Sequence, residues 1–127
     1  MDKKTILIIE DEQGMRDTLK ESIENAGYQT IIAGDGEKGI KLAKQYNCDL
    51  ILLDIILPKK DGFEVLRELK MDEKMKDLPI VLITNLSEPS DIQKALDLGA
   101  TTYLVKSSYS LADIVEKINN ILEEQKN

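Results

Sequence analysis

Residues 49–69 read DLILLDIILPKKDGFEVLREL. From Leu50 to Leu53 the run is wholly apolar, which is the pattern of a strand covered on both faces. Pro58, Lys59, Lys60, Asp61 and Gly62 make a turn, and Phe63, Leu66 and Leu69 then recur at helical spacing. A buried strand, a polar turn and a helix that packs back on it form the repeating unit of a parallel sheet. One residue does not fit. Asp54 interrupts the apolar run, and a carboxylate there is costly unless a metal, hydrogen bonds or a function stabilises it.

Outward from this stretch the same unit recurs. TILIIE (5–10), YQTIIA (28–33), PIVLIT (79–84) and TYLV (102–105) are further strand candidates. YQTIIA alternates more than the others and reads as an edge strand. Met15, Leu19, Ile23 and Ala26 share one stripe of a first helix, which Gly27 closes. Asp35 can cap a second helix, with Ile40 and Ala43 facing inward. Ile92, Ala95 and Leu96 line a fourth, starting at Ser87 or at Ser90, where Gln93 would complete a capping box. Ser110 caps the last helix, whose inner face is Leu111, Ile114, Val115, Ile118, Ile121 and Leu122. MDEKMKDL (71–78) reads as a charged surface loop and EEQKN (123–127) as a fraying tail. Five strand–helix repeats with short connections imply a parallel sheet between two helix layers, joined by right-handed crossovers. Residues 1–127 are expected to form a single domain.

Composition narrows the function. With 17 basic against 24 acidic residues the net charge is −7, which disfavours direct binding to nucleic acid or an anionic membrane. There is no histidine, so histidine metal ligands and Ser-His or Cys-His nucleophile pairs are excluded. The lone cysteine, Cys48, cannot form an intrachain disulfide, suits a reducing cytoplasmic setting, and reads as a small residue packed near a strand. No apolar stretch approaches the roughly 18 residues of a membrane span, and MDKKTILIIEDEQ has no signal-peptide core.

The polar residues that end the strands all fall at one edge of the sheet, where open parallel sheets place their ligands. Strand one ends in Glu10, Asp11 and Glu12; strand three in Asp54; strand four in Thr84; Lys106 follows strand five. Carboxylates gathered this closely raise one another's pKa unless a cation compensates. An all-oxygen set favours Mg2+ or Mn2+ over zinc. Lys106 offers a fixed positive charge and Thr84 a hydroxyl, the two things a transferred phosphoryl group needs, and Asp54 can act as the nucleophile. Glu12 reads instead as a near-solvent helix cap, and Lys59 and Lys60 as loop charges.

In order and spacing, ILIIEDE, LLDIILPKKDG, VLITN and YLVK resemble the receiver domains of bacterial two-component response regulators. The resemblance spans essentially the whole chain. It implies a flavodoxin-like three-layer α/β/α sandwich of five parallel strands in the order 2-1-3-4-5 with five helices. It further implies that Asp54 accepts the phosphoryl group in a Mg2+-dependent reaction (Mn2+ being possible), with Asp54 and Lys106 carrying the chemistry. Asp11, Asp54 and the backbone carbonyl of Ile56 match the metal ligands, with Glu10 acting through a water. Thr84 and Lys106 match the phosphoryl-contacting pair, and Tyr103 the aromatic switch. The implied donor is a histidine kinase or a histidine phosphotransfer protein. The implied output is an unidentified partner or domain that reads the face of helix four, strand five and helix five, on a monomer or a weak phosphorylation-dependent dimer. On this view the chain is a regulator catalysing only its own phosphorylation and dephosphorylation. It can be a stand-alone regulator, a relay intermediate or one domain of a longer protein. VKSSYS places Ser107 where the family usually has proline after the lysine. A cis Lys106–Ser107 bond would cost about 2.5–4 kcal/mol, so trans is expected, with Ser107, Ser108 or Ser110 capping the last helix.

One motif points elsewhere. GDGEKG (34–39) satisfies G-x-G-x-x-G between a strand and a helix. Asp35 and Glu37 would set negative charge against a pyrophosphate, so a nucleotide site is rejected. Two alternatives use the same residues: a metal-dependent aspartate-nucleophile phosphatase, and an interaction module that works without phosphorylation. The phosphatase would want a second acid two residues after its nucleophile, where this chain has Ile56 after Asp54 or Gln13 after Asp11.

Overall fold

Alternate residues of each apolar run feed two different cores. A computed structural model describes residues 3–125. Its strands are β1 (Thr5–Ile9), β2 (Gln29–Ala33), β3 (Leu50–Leu53), β4 (Ile80–Thr84) and β5 (Thr102–Val105), all parallel, in the order β2-β1-β3-β4-β5. Between and after them run α1 (Gln13–Asn25), α2 (Gly36–Gln45), α3 (Gly62–Met71), α4 (Pro89–Asp97) and α5 (Leu111–Gln125). Ile6, Ile8, Leu50, Leu52, Val81 and Ile83 pack with Leu19 and Ile23 of α1 and Ile114 and Ile118 of α5. Their strand neighbours Leu7, Ile9, Ile51, Leu53, Ile80 and Leu82 pack on the other face with Ile40 of α2, Val65, Leu66 and Leu69 of α3, and Ala95 of α4. That is the expected three-layer sandwich with the expected strand order. YQTIIA supplies the edge strand β2, as its alternation required.

Several local expectations are corrected. The Ser90–Gln93 capping box does not form: α4 begins at Pro89 with Glu88 ahead of it, and the Gln93 amide donates instead to Asp97 Oδ1 at 2.8 Å. Proline has no N–H to satisfy and a φ already set for the first helical position, which draws the start to Pro89. Leu96 is 43% exposed rather than inward, and Ala26 is exposed at the end of α1. The segment 71–78 is, as expected, a largely exposed charged connection once Met71 has ended α3, but it is anchored. Met75 is buried, and the Lys70 ammonium donates to the carbonyls of Lys76 (3.1 Å) and Leu78 (2.9 Å). Of the supposed tail, residues 123–125 continue α5, and the last two lie outside the described residues. Ser110 does cap α5, reciprocally with Asp113: the Asp113 N–H donates to Ser110 Oγ and the Ser110 N–H to Asp113 Oδ2, each at 3.1 Å. Among the described residues no helix is long and apolar enough to cross a membrane.

Candidate functional site

The β ladders run one residue past the strand ends, and this fixes the acids. The Glu10 N–H donates to the Ala33 carbonyl and the Asp54 N–H to the Ile9 carbonyl, both at 3.0 Å. The two residues therefore leave adjacent strands side by side at the carboxyl edge. Both are buried, Glu10 at 2% exposure and Asp54 at 5%. Lys106, in the 3-10 turn Lys106–Ser108 after β5, reaches across to both. Its ammonium donates to Glu10 Oε1 at 2.6 Å and to Asp54 Oδ2 at 2.8 Å. The remaining oxygens are held by backbone: the Glu12 N–H donates to Glu10 Oε2 and the Ile56 N–H to Asp54 Oδ1, each at 3.2 Å. Burial and the neighbouring Asp54 charge push the Glu10 carboxyl upward, against the Lys106 hydrogen bond. Burial alone would lower the Lys106 ammonium, but its bonds to Asp54 and Glu10 prevail and its pKa is raised.

Asp11 completes the cluster. Carboxylate oxygens of Glu10, Asp11 and Asp54 lie within 4.8 Å of one another. Three carboxylates against one ammonium leave uncompensated negative charge at a partly desolvated edge, and the donors are all oxygen. This donor set fits a hard divalent cation. Ile56, whose carbonyl was expected to assist, is 56% exposed at the rim of the site.

Thr84 and Tyr103 are joined through one residue. Thr84 is fully buried, and the Leu86 N–H reaches its Oγ1 at 3.5 Å, a long bond. The Tyr103 hydroxyl donates to the carbonyl of the same Leu86 at 2.8 Å. Tyr103 is half-buried, and burial, Asp91 and Asp54 together raise its pKa. The Lys106–Ser107 peptide is trans, as are all the described peptide bonds.

The loop after Asp54 is set by close backbone packing. A Cβ at Gly62 would lie 2.5 Å from the Asp54 carbonyl oxygen, and the Gly62 N–H donates to the Ile55 carbonyl at 2.7 Å. A Cβ at Gly36 would overlap the Lys60 carbonyl, and one at Gly39 would lie 2.5 Å from Ile9 Cδ1. The glycines of GDGEKG thus make room for protein atoms, while Asp35 caps α2 by accepting from the Lys38 N–H at 2.8 Å. The loop lysines are paired: Lys60 with Glu68 at 2.7 Å, and Lys59, at φ 68°, with Asp35 at 3.9 Å. Glu12 sits exposed at the head of α1, with no side-chain cap bond.

One participant was not singled out from the sequence. Arg16, one turn into α1, donates from Nη1 to the main-chain carbonyls of Glu10 (2.9 Å) and Asp11 (3.3 Å). The available signal was a cation one helical turn beyond an acidic loop, which sequence alone does not separate from a solvated helix charge.

Comparison with known proteins agrees with this arrangement. The family described as "Response regulator receiver domain" matches residues 6–119. The DNA-binding dual master transcriptional regulator RpaA of Synechocystis sp. is 38% identical over 117 residues, covering 92% of this chain and 48% of that protein. The alkaline phosphatase synthesis transcriptional regulatory protein PhoP of Bacillus subtilis is 37% identical over 119 residues, covering 94% and 48%. The chain spans about half the length of the curated relatives it matches. Among solved structures, a CheY-like receiver domain protein from Methanospirillum hungatei superposes with a TM-score of 0.92 at 28% identity, covering 98% of each chain. The Mn(2+)-bound form of the response regulator Rcp1 gives 0.80 at 31%, covering 93% of this chain and 91% of that one.

Proposed function

The chain belongs to the response regulator receiver domain family, whose function is phosphorylation-based signalling, and we propose that Asp54 is its phosphoacceptor. The observation that carries this is the Lys106 ammonium held between the buried carboxylates of Glu10 and Asp54, with Asp11 beside them. An Asp54 carboxylate oxygen attacks the phosphorus of a phosphohistidine, on a histidine kinase or a phosphotransfer protein. The phosphorus–nitrogen bond breaks and its electron pair leaves with the imidazole. Lys106 and the Thr84 hydroxyl then hydrogen-bond the phosphoryl oxygens on Asp54.

Receiver domains bind a divalent metal, and here we take it to be Mg2+, with Mn2+ able to replace it. Asp11, Asp54 and the Ile56 carbonyl would hold it, with Glu10 acting through a water. When bound it supplies charge that offsets three carboxylates and the incoming phosphoryl group. The Mn(2+)-bound relative and the clustered carboxylates support this assignment.

The output follows from the Leu86 link. A phosphoryl group that draws Thr84 toward it pulls on the Leu86 N–H, while Tyr103 holds the carbonyl of the same residue. Phosphorylation thereby biases the face of α4, β5 and α5, which a partner or an output domain reads. The relatives' names support a transcriptional output somewhere in the pathway. We assign this domain itself, residues 1–127, no direct contact with nucleic acid or membrane, a cytoplasmic setting, and a monomeric or weakly dimeric state on phosphorylation. With Ile56 two residues after the nucleophile there is no general acid there, which supports a regulator acting on itself rather than a phosphatase.

The test is intact-mass analysis after treatment with acetyl phosphate, with and without Mg2+. Wild type should gain one phosphoryl group only with the cation, and Asp54→Ala none. An adduct that survives in Asp54→Ala refutes the assignment.

A further inference from the structure

We propose that Arg16 is a positioning residue for the cation site, acting through the backbone of Glu10 and Asp11; the inference rests on the metal reading above. The three clustered carboxylates are not held alike. Glu10 is fixed by Lys106 and by the Glu12 N–H, and Asp54 by Lys106 and by the Ile56 N–H. The Asp11 carboxylate is exposed and has no hydrogen bond among the described residues, so its aim depends on its main chain.

The carbonyls of Glu10 and Asp11 lie beyond the end of β1 and ahead of the first helical bond of α1, so neither a ladder nor a helix orients them. Arg16 takes over the task. A single guanidinium nitrogen donates to two successive carbonyls, those of Glu10 and Asp11, while the Arg16 N–H donates to the carbonyl of Glu12 at 2.9 Å. The carbonyls of Glu10 and Asp11 are thus tied to one guanidinium, and that of Glu12 receives the first helical bond of α1. The guanidinium is itself seated against the β2–α2 turn, where a Cβ at Gly34 would stand 3.3 Å from Nη1. Fixing two consecutive peptide planes fixes the directions in which Glu10 and Asp11 leave the chain, and therefore whether their carboxylates converge with that of Asp54. Lysine cannot substitute fully, because its ammonium sits at the end of a flexible stem and lacks the rigid planar fork.

Charge and positioning predict opposite signs, which makes the inference testable. Arg16 is a cation near a cation site. If it acted only through its field, removing it would tighten metal binding. If it positions Asp11, removing it weakens binding, and loss of groups that orient metal ligands costs about 10- to 100-fold.

The experiment measures Mn2+ dissociation constants by electron spin resonance on folded wild type, Arg16→Met, Arg16→Lys, Asp11→Asn and the double variant Asp11→Asn/Arg16→Met. Expected are about tenfold weaker binding in Arg16→Met, an intermediate loss in Arg16→Lys, and little further loss when Arg16→Met is added to Asp11→Asn. Raising the metal concentration should restore the acetyl phosphate reaction of Arg16→Met to the wild-type maximum. If Arg16→Met does not fold, Arg16→Lys against wild type carries the comparison. Unchanged or tighter binding in the Arg16 variants, or an equal loss in the Asp11→Asn background, overturns the inference and leaves the metal site standing. Wild type that binds no Mn2+ overturns both.

Discussion

Lys106→Met tests whether the ammonium is the internal counter-ion of the site. Methionine keeps most of the aliphatic volume, so the cavity contribution is small and the change isolates the charge. Lost are two charge-assisted hydrogen bonds, at 2.6 and 2.8 Å. Left behind are two carboxylates at 2% and 5% exposure with no cation between them. Breaking a buried pair by removing one partner costs about 3–5 kcal/mol. The Lys106 side chain is 15% exposed, and water at the sheet edge screens part of the effect, so the lower end, about 3 kcal/mol, is expected.

The assay is urea unfolding at neutral pH in the presence of a chelator, followed by circular dichroism. Asp54→Asn in the Lys106→Met background should recover part of the loss, giving a coupling energy of about 1–3 kcal/mol. Saturating Mg2+ should also recover part, since a ligand at 100 times its dissociation constant adds about 2.7 kcal/mol. The pH dependence has a definite sign. The Glu10 carboxyl is already raised by burial and by Asp54, and removing Lys106 takes away a hydrogen bond that opposes that rise. The folded variant then binds more protons at Glu10 than the unfolded chain does, so its deficit should shrink as pH falls through the folded-state pKa of Glu10. A loss below about 1 kcal/mol, or a coupling near zero, would refute the counter-ion argument.

Gly62→Ala should destabilise by about 2 kcal/mol in the same unfolding assay, because the new Cβ meets the Asp54 carbonyl; helix propensity alone would instead give a gain of about 1 kcal/mol. Lys59→Gly should leave stability unchanged or raise it by up to about 1 kcal/mol, since it relieves a left-handed φ and gives up only a 3.9 Å surface pair; a clear loss would mean that the Asp35 contact dominates the turn. Burial raises the Cys48 thiol to about 11, so at pH 8 the native chain should alkylate about a hundredfold more slowly than the urea-unfolded chain. Equal rates in the two states would contradict that burial.

The five strands and the acidic edge were legible because both follow from one constraint. A strand covered on both faces tolerates no polar residue inside, so Glu10, Asp54 and Thr84 stood out where the apolar runs stopped. Their convergence then followed from parallel pairing, which brings every carboxyl end to the same edge. What was not legible depended on neighbours distant in sequence. Met75 is an anchor because it packs into the core on the α2–α3–α4 face of the sheet, which its local sequence does not announce. Leu96 is exposed because α4 presents Ala95, not Leu96, to the sheet. Arg16 carries no local mark of its task, since its partners are main-chain carbonyls, and any residue supplies those.

The G-x-G-x-x-G stretch shows how one local pattern serves two physical ends. Glycine admits close approach, but not only by a phosphate. Here the charges of Asp35 and Glu37 decided against an anion, and the approaching atoms are Lys60 carbonyl oxygen and the Ile9 side chain. The consequence reaches the site. Gly62 of α3 leaves no room for a side chain against the Asp54 carbonyl and the Ile55 Cα, and Gly36 of α2 packs in the same way on the Lys60 carbonyl farther along the β3–α3 loop. Contacts of that kind resist small displacements steeply. The opposite wall is joined differently, by a 3.5 Å bond from Leu86 to Thr84 and a hydroxyl bond from Tyr103. A phosphoryl group on Asp54, as proposed, would therefore meet a tightly packed wall on one side and a more loosely joined one on the other. Any displacement it causes should run through Leu86 toward α4 and β5, rather than back through the glycine-packed side toward α2.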